Sequence, residues 1–288
     1  MFDDVLVPTD GSECAEMAAE YARDLATRYG ATVHVLCVAD ARTLENAPHH
    51  DQITDERAEL AERTCAAFSA ADIPVERAVR TDVPHSAILE YVTDREIDLV
   101  VMGTHGRTGV ERYLLGSVTE KVVRLSDAPV LTVKATDDEA VTYPYDDVLV
   151  PTDGSDGAAA AIAPAVDVAG TYDARLHALS VVDTLATGID VRSEIVREQL
   201  EEEARTAVEA VEARAADASV AAVETAVEHG SPYREIRSYV EANDVDLVVM
   251  GTQGRSGLER YLLGSVAEKT VRTSPVPVMT VRRPDEDE

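Results

Sequence analysis

A long internal repeat constrains the fold of this chain more than any other feature of its sequence. Residues 4–12, DVLVPTDGS, recur unchanged at 147–155. Residues 103–117, GTHGRTGVERYLLGS, recur at 251–265 with three differences. Each half of the 288-residue chain is long enough to form a domain. A period of this length therefore indicates two tandem domains rather than a solenoid of short repeats.

The spacing of the repeated segments changes along the chain. The interval from Gly103 to its counterpart Gly251 is longer by five positions than the interval from Asp4 to Asp147. The second copy therefore carries five additional residues, which we place between Asp183 and Ser231, in a surface loop and helix. The sequence predicts these segments: a first domain at 1–134, a linker at 135–145, a second domain at 146–283 and a disordered acidic tail at 284–288.

Apolar periodicity predicts alternating strands and helices in each copy. The predicted strands of the first copy are 5–8, 32–38, 75–79, 98–102 and 129–133. Helices are predicted to begin near Ala15, Pro84 and Ser117, and an apolar stripe from Leu60 to Ala71 predicts a further helix. This alternation predicts an α/β fold with a mainly parallel, doubly wound sheet and helices on both faces. Such sheets bind ligands at the carboxyl ends of their strands, where the strand order reverses.

A glycine-rich segment follows the fourth predicted strand. We expect Gly103, Gly106 and Gly109 to adopt positive φ and to let the backbone approach a ligand closely. Main-chain amides turned inward in such a loop form an anion-binding concavity. Such a loop can also be only a turn, but the two copies keep this segment while they diverge elsewhere. The repeat therefore favours a phosphate-binding loop.

The next helix is predicted to begin where that loop ends. Ser117 and Glu120 have the spacing of a capping box, and Ser265 and Glu268 repeat it. The free amides and the positive dipole end of the helix would then face whatever the loop holds. The same pattern can be an ordinary helix cap without any ligand.

Charged and polar residues near the predicted strand ends leave several interpretations open. Asp10 either caps the first helix or contacts a ligand. A carboxylate beside a triphosphate is unfavourable unless it contacts ribose or adenine, or a divalent cation lies between them. Arg107 and Arg112 either pair with phosphate or are solvated. His105 is replaced by a glutamine in the second copy, which argues against a catalytic imidazole, and no catalytic residue or protein metal ligand is predicted.

The spacing Gly103-x2-Gly106-x9-Gly116-Ser117 resembles the ATP-binding signature of universal stress proteins, G-2x-G-9x-G-(S/T). The second copy has the same spacing from Gly251 onward. The opening VPTDGS and the closing PVLTV are also similar to that family, so the resemblance covers nearly the whole chain, once per copy.

The resemblance implies five-stranded sheets of order 3-2-1-4-5 that bind ATP, or ADP or AMP, with Mg²⁺. It implies that Asp10 and Val38 contact the ribose and adenine, and that the amides of Gly103, Gly106, Ser117 and Val118 contact the phosphates. It also implies pairing through the last strand, as an internal pseudo-dimer or a homo-oligomer. The complete predicted binding set is Pro8, Thr9, Asp10, Val38, Met102, Gly103, Gly106, Arg107, Gly116, Ser117, Val118, Pro151, Thr152, Asp153, Val181, Met250, Gly251, Gly254, Arg255, Gly264, Ser265 and Val266.

Three functions are compatible with these patterns. The first is an ATP-binding protein with a regulatory or protective role in stress response and little turnover. The second is a slow ATPase or a nucleotidyl-transferring enzyme of the same α/β class. The third is a scaffold whose glycine loop is only structural. The sequence has no GxxxxGK[ST] loop, which favours binding over phosphoryl transfer.

The charge balance narrows the range of partners. The chain has 55 acidic and 26 basic residues, which give a net charge of −29. Such a surface repels nucleic acid and anionic lipid. No apolar run approaches the roughly 20 residues of a membrane span, the acidic N-terminus lacks a secretory pattern, and we expect a cytoplasmic protein. The three cysteines, with no CxxC pair, indicate neither a disulfide framework nor a zinc site.

Self-repulsion on this scale predicts that stability depends on salt, as in the salt-rich cytosol of a halophile. Going from about 50 mM to about 2 M KCl shortens the screening length several-fold, so the midpoint of unfolding should rise. Circular dichroism during heating measures that midpoint. A non-ionic osmolyte of equal osmolality is the control, and full stability at the lower KCl concentration would remove the hypothesis.

Overall fold

The chain folds into two compact units, Met1–Ala140 and Val141–Glu288, and each contains one copy of the repeat. The structure is a computed structural model. It describes residues 1–44, 50–106, 115–135, 143–183, 194–218, 220–254 and 263–283.

Five parallel strands form the sheet of the first unit. Their order is β3-β2-β1-β4-β5, which confirms the predicted order 3-2-1-4-5. The strands are β1 (Asp4–Thr9), β2 (Thr32–Asp40), β3 (Val75–Asp82), β4 (Leu99–Gly103) and β5 (Val130–Val133). All residues of β4 and β5 are buried, as expected for strands that are covered on both faces.

Helices connect these strands. They are α1 (Glu13–Tyr29), α2 (Ala41–Leu44), α3 (His50–Ser69), α4 (Pro84–Asp94) and α5 (Ser117–Leu125). Helix α1 ends at Gly30, whose φ of 69° is a left-handed conformation that favours glycine, as its position after the apolar stripe predicts. Pro84 lies in the first turn of α4, where its missing N–H costs nothing. The sequence analysis did not predict the short helix α2.

The second unit repeats this arrangement with the strand order β8-β7-β6-β9-β10, again all parallel. Its strands are β6 (Asp147–Pro151), β7 (Arg175–Asp183), β8 (Val223–Gly230), β9 (Leu247–Gly251) and β10 (Val278–Val281). Its helices are α6 (Asp156–Ala159), α7 (Ile162–Tyr172), α8 (Glu194–Asp217), α9 (Pro232–Ala242) and α10 (Ser265–Thr273). Helices α6 and α7 stand where the first unit has the single helix α1. Pro164 lies in the first turn of α7. Because proline has no N–H to donate within a continuous helix, it accounts for the start of a new helix at Ile162.

The five additional residues of the second copy lie within the predicted interval. The span from the start of β7 to the start of β8 is longer by five positions than the span from the start of β2 to the start of β3. Strands β2 and β7 have the same length, so the insertion falls between Asp183 and Val223. Part of it lengthens a helix, since α8 has 24 residues where α3 has 20. Within the described residues, no helix is both long enough and apolar enough to cross a bilayer.

A polar triad around a buried histidine recurs in both units at the amino ends of the strands, away from the predicted site. His34 of β2 is only 4% exposed; its Nε2 lies 2.9 Å from Asp4 Oδ1 and its Nδ1 lies 3.0 Å from the Tyr91 hydroxyl. His177, Asp147 and Tyr239 form the same contacts at 2.8 and 3.0 Å.

The partners fix the hydrogen-bonding roles in this triad. Burial raises the pKa of the Tyr91 and Tyr239 hydroxyls, so both stay protonated. The Asp4 and Asp147 carboxylates only accept, which assigns the ring proton to Nε2 and leaves Nδ1 to accept from the tyrosine hydroxyl. The imidazole Nε2–H then donates to the aspartate. The sequence analysis missed this triad, although the three residue types recur in both copies of the repeat.

We predict that Tyr91→Phe and Tyr239→Phe each lower the free energy of unfolding by about 1–2 kcal/mol, because each leaves a buried imidazole nitrogen without its donor. Denaturant unfolding of the full chain measures the change. Tyr233→Phe is the matched control, since its hydroxyl accepts an exposed bond from Arg234 and its loss should cost less than about 0.5 kcal/mol. Equal effects in all three variants would contradict a structural role for the triad.

Candidate functional site

The carboxyl ends of β6, β7 and β9 border a cavity of about 400 Å³ in the second unit. All ten described residues of the predicted second-copy set line it: Pro151, Thr152, Asp153, Val181, Met250, Gly251, Gly254, Gly264, Ser265 and Val266. Leu200 and Ala204 of α8 and Pro232 and Ile236 of α9 add an apolar wall that the sequence analysis did not predict. Arg255, like Arg107 of the first copy, lies outside the described residues.

The first unit holds the corresponding residues at the same strand ends. Pro8 and Thr9 end β1, Val38 lies near the end of β2, and Met102 and Gly103 end β4. The loop after β4 is joined to the helix that follows it, because Gly116 donates its amide to the Thr104 carbonyl at 2.8 Å. Gly264 and Thr252 make the same bond at 2.8 Å. Both copies therefore bring together the end of the first strand, the end of the second strand, and the glycine loop with the helix that follows it.

Asp10 is not the N-cap of α1. That position belongs to Ser12, whose Oγ accepts a hydrogen bond from the Ala15 amide at 3.3 Å. Asp10 Oδ1 instead accepts from the Ser12 amide at 3.0 Å, which closes the turn before the helix. Asp153 and Ser155 repeat this contact at 3.0 Å. The capping alternative for Asp10 is therefore wrong, and its carboxylate is held at the end of β1.

The second signature glycine makes room for that carboxylate. A Cβ added at Gly106 would lie 2.6 Å from Asp10 Oδ2, and one at Gly254 would lie 2.6 Å from Asp153 Oδ2. Any side chain at this position would displace the aspartate. The loop and the end of the first strand thus approach each other closely in both units.

The first signature glycine is required by packing. A Cβ at Gly103 would lie 2.6 Å from Cys14 Cβ in the first turn of α1, and one at Gly251 would overlap the carbonyl of Gly157. Gly103 and Gly106 do not adopt positive φ, so that prediction was wrong; the positive φ values near the site are at Gly11 (76°) and Gly154 (75°). Gly109 lies outside the described residues. Close approach, rather than a left-handed backbone, therefore explains these glycines.

The helices at the site begin at the predicted residues but are capped differently. Ser117 and Ser265 are the first residues of α5 and α10, and the N-caps are Gly116 and Gly264, which have no side chain to donate or accept. The predicted capping boxes were therefore wrong.

This capping leaves several amides for another partner. The first intrahelical bond of α5 runs from the Glu120 amide to the Gly116 carbonyl at 2.8 Å. The amides of the first three helical residues have no intrahelical acceptor. In the second unit, all three of these residues, Ser265, Val266 and Ala267, line the cavity. A helix end of this kind favours an anion because its partial positive charge faces the opening.

The charged side chains around the cavity are acidic. Of the described residues that line it, Asp153 and Asp183 are ionisable and none is a lysine or arginine. Within this described lining, positive potential for an anionic ligand therefore comes from main-chain amides and the helix end. The polar groups stand beside an apolar wall, an arrangement typical of small-molecule sites.

Comparisons with known proteins agree with this architecture. The model of the universal stress protein family matches residues 1–134 and 144–282. A universal stress protein of Mycobacterium bovis is 30% identical over 297 residues, which cover 97% of each chain. One from Methanocaldococcus jannaschii is 37% identical over 146 residues, covering 50% of this chain and 85% of the relative.

A solved structure extends the similarity to the whole fold. The crystal structure of a universal stress protein from Archaeoglobus fulgidus is similar with a TM-score of 0.74 and 26% identity, covering 99% of this chain and 100% of that one. Both halves match the family model, and the Mycobacterium relative matches across both halves. The chain is therefore a tandem member of the universal stress protein family.

Proposed function

We propose that the chain binds an adenine nucleotide in each copy, with ATP as the principal ligand, and that it acts by binding in a stress response rather than by turnover. The observation that carries this proposal is the cavity of the second unit, which is bordered by a strand end, a glycine loop and a helix start that has no side-chain cap. Its volume of about 400 Å³ is within the range of small-molecule sites, about 300–1,000 Å³.

The distribution of groups around the cavity suits the two ends of a nucleotide. The uncapped start of α10 offers the amides of Ser265 and Val266 for phosphate oxygens. Asp153 offers a carboxylate that accepts hydrogen bonds from ribose hydroxyls. The apolar wall of Leu200, Ala204 and Ile236 offers a surface for the base.

The two carboxylates in the lining bear on the charge state of the ligand. A triphosphate beside Asp153 and Asp183 adds negative charge to an acidic site. Mg²⁺ bound to the phosphates reduces that repulsion, so we propose that ATP enters with Mg²⁺. ADP and AMP carry fewer charges and depend less on the metal.

Binding without appreciable turnover is favoured by a difference between the copies. His105 stands beside the first glycine loop, with its Nδ1 at 2.8 Å from Thr104 Oγ1, whereas Gln253 holds that position in the second cavity. A histidine acting as general base is therefore not a shared property of the two sites.

We predict that Gly264→Val weakens binding of Mg-ATP at the second site by at least about tenfold, or about 1.4 kcal/mol. A Cβ at Gly264 already lies 3.1 Å from the Thr252 carbonyl, so the larger side chain pushes the loop away from the helix end. Calorimetric titration of the full chain measures the affinity and stoichiometry. Gly170→Val is the matched control, because a Cβ there meets nothing within 4 Å.

The same titration tests the proposal as a whole. Chromatography of the nucleotide released by acid from freshly purified protein shows which ligand is retained. A chain that releases no nucleotide and binds none in the calorimeter would be a scaffold, and the proposal would fail.

We also predict that phosphate release from ATP by the wild-type chain is no faster than that by the Gly116→Val, Gly264→Val double variant. A coupled colorimetric assay measures both rates. Release well above the double variant would favour the slow ATPase instead.

A further inference from the structure

Helices α3 and α8 cover the same face of their sheets, and their burial patterns show which residues correspond. Three of the four buried residues of α3 coincide with buried residues of α8 when Leu60 is aligned with Ala207; the exception is Cys65, which corresponds to the exposed Glu212. This alignment places the buried residues Leu60, Ala61 and Phe68 against the buried residues Ala207, Val208 and Ala215. In the same register, Arg57 of the first unit corresponds to Ala204 of the second.

Ala204 lines the cavity of the second unit, so Arg57 stands at the corresponding wall of the first site. Its guanidinium folds inward there. Arg57 Nη1 donates to the main-chain carbonyl of Asp10 at 3.3 Å, and the matching residue, Asp153, lines the second cavity. Arg57 Nε is fully covered and has no hydrogen-bond partner among the described residues.

The positive charge of Arg57 also acts on the thiol of Cys37. Burial raises the pKa of Cys37 to about 11, and Arg57 is the strongest influence that opposes this rise. Cys37 is the sixth residue of β2 and corresponds to Ser180, the sixth residue of β7, which also lines the second cavity. Asp10, which Arg57 contacts, and Cys37, on which its charge acts, thus both correspond to lining residues of the second cavity.

The guanidinium is weakly held in this position. Within the described part of the chain it makes one long hydrogen bond and leaves a covered N–H without an acceptor, an arrangement that costs stability rather than adding to it. Arginine side chains have several rotatable bonds, so a ligand can displace the guanidinium toward solvent. The displacement still has to be offset by contacts of the ligand, which lowers its affinity.

We infer that Arg57 closes the first nucleotide site and makes the two sites unequal, with the second site binding more tightly. This inference rests on the proposed function of both sites. Arg57 acts by occupying volume that Ala204 leaves open, and it controls affinity from the helix side of the site without belonging to the glycine signature.

Full-length chains with one site disabled test this inference. Gly116→Val leaves the second site and Gly264→Val leaves the first, and each is titrated with Mg-ATP in the calorimeter. We expect the chain with only the second site to bind at least about tenfold more tightly. Adding Arg57→Ala to the chain with only the first site should remove most of that difference.

Two further variants distinguish the effect of the volume of the Arg57 side chain on affinity from the effect of its charge. Arg57→Met keeps a long side chain without charge, and the first site should stay weak. Ala204→Arg in the chain with only the second site should weaken binding by at least about tenfold; if that variant does not fold, the Arg57 variants still decide.

These titrations distinguish failure of the closure by Arg57 from failure of the proposed nucleotide binding. Equal affinities of the two sites, or weaker binding after Arg57→Ala, would overturn the closure by Arg57 while nucleotide binding stands. Absence of nucleotide binding at either site would overturn the proposed function and this inference together.

Discussion

The close contact between the end of the fourth strand and the first turn of the first helix organises each copy. Gly103 lies against Cys14, and Gly251 lies against Gly157, at distances that no side chain could fill. Because the helix begins directly after the first strand, this contact also fixes the turn that carries Asp10 or Asp153. The second signature glycine then meets that carboxylate. A signature that is usually read as a ligand motif is therefore also a packing motif, and both requirements act on the same residues.

Much of the fold could be predicted from the sequence because apolar periodicity indicates the strands and helices, and the repeat shows the same periodicity in both copies. The positions of the strands, to within three residues at each end, follow from local patterns, as do the end of α1 at Gly30 and the start of α5 at Ser117. The capping of α5 does not follow from a local pattern. The Ser-x-x-Glu spacing is present in the sequence, but the backbone geometry makes Gly116, not Ser117, the N-cap residue. The polar residues at the carboxyl ends of the strands could be predicted as part of the site. The contribution of Leu200 and Ala204 to the cavity wall could not, since it depends on how α8 packs against the sheet.

Buried polar groups were the least predictable part. His34 and His177 lie in apolar strands, and nothing local distinguishes them from exposed residues of the same type. Their partners are close in space but distant in the chain, as His34 and Tyr91 lie on separate elements, β2 and α4. Only the recurrence of all three residue types in both copies could have identified the triad. The comparison of the two copies is thus more informative than either copy alone, for the core as well as for the site.

The proposed recognition of phosphate by main-chain amides is compatible with the extreme charge of this chain. Only three of its 26 basic residues are lysines, and the net charge of −29 repels an anionic nucleotide at long range. Salt screens that repulsion, since the Debye length is about 8 Å at 0.15 M and about 3 Å at 1 M. Contacts between phosphate oxygens and helix amides act at hydrogen-bond distance within a partly enclosed site, where screening is much weaker. A site built from amides therefore keeps its short-range attraction under the same conditions that relieve the repulsion of the acidic surface, which a site built from exposed lysines could not do.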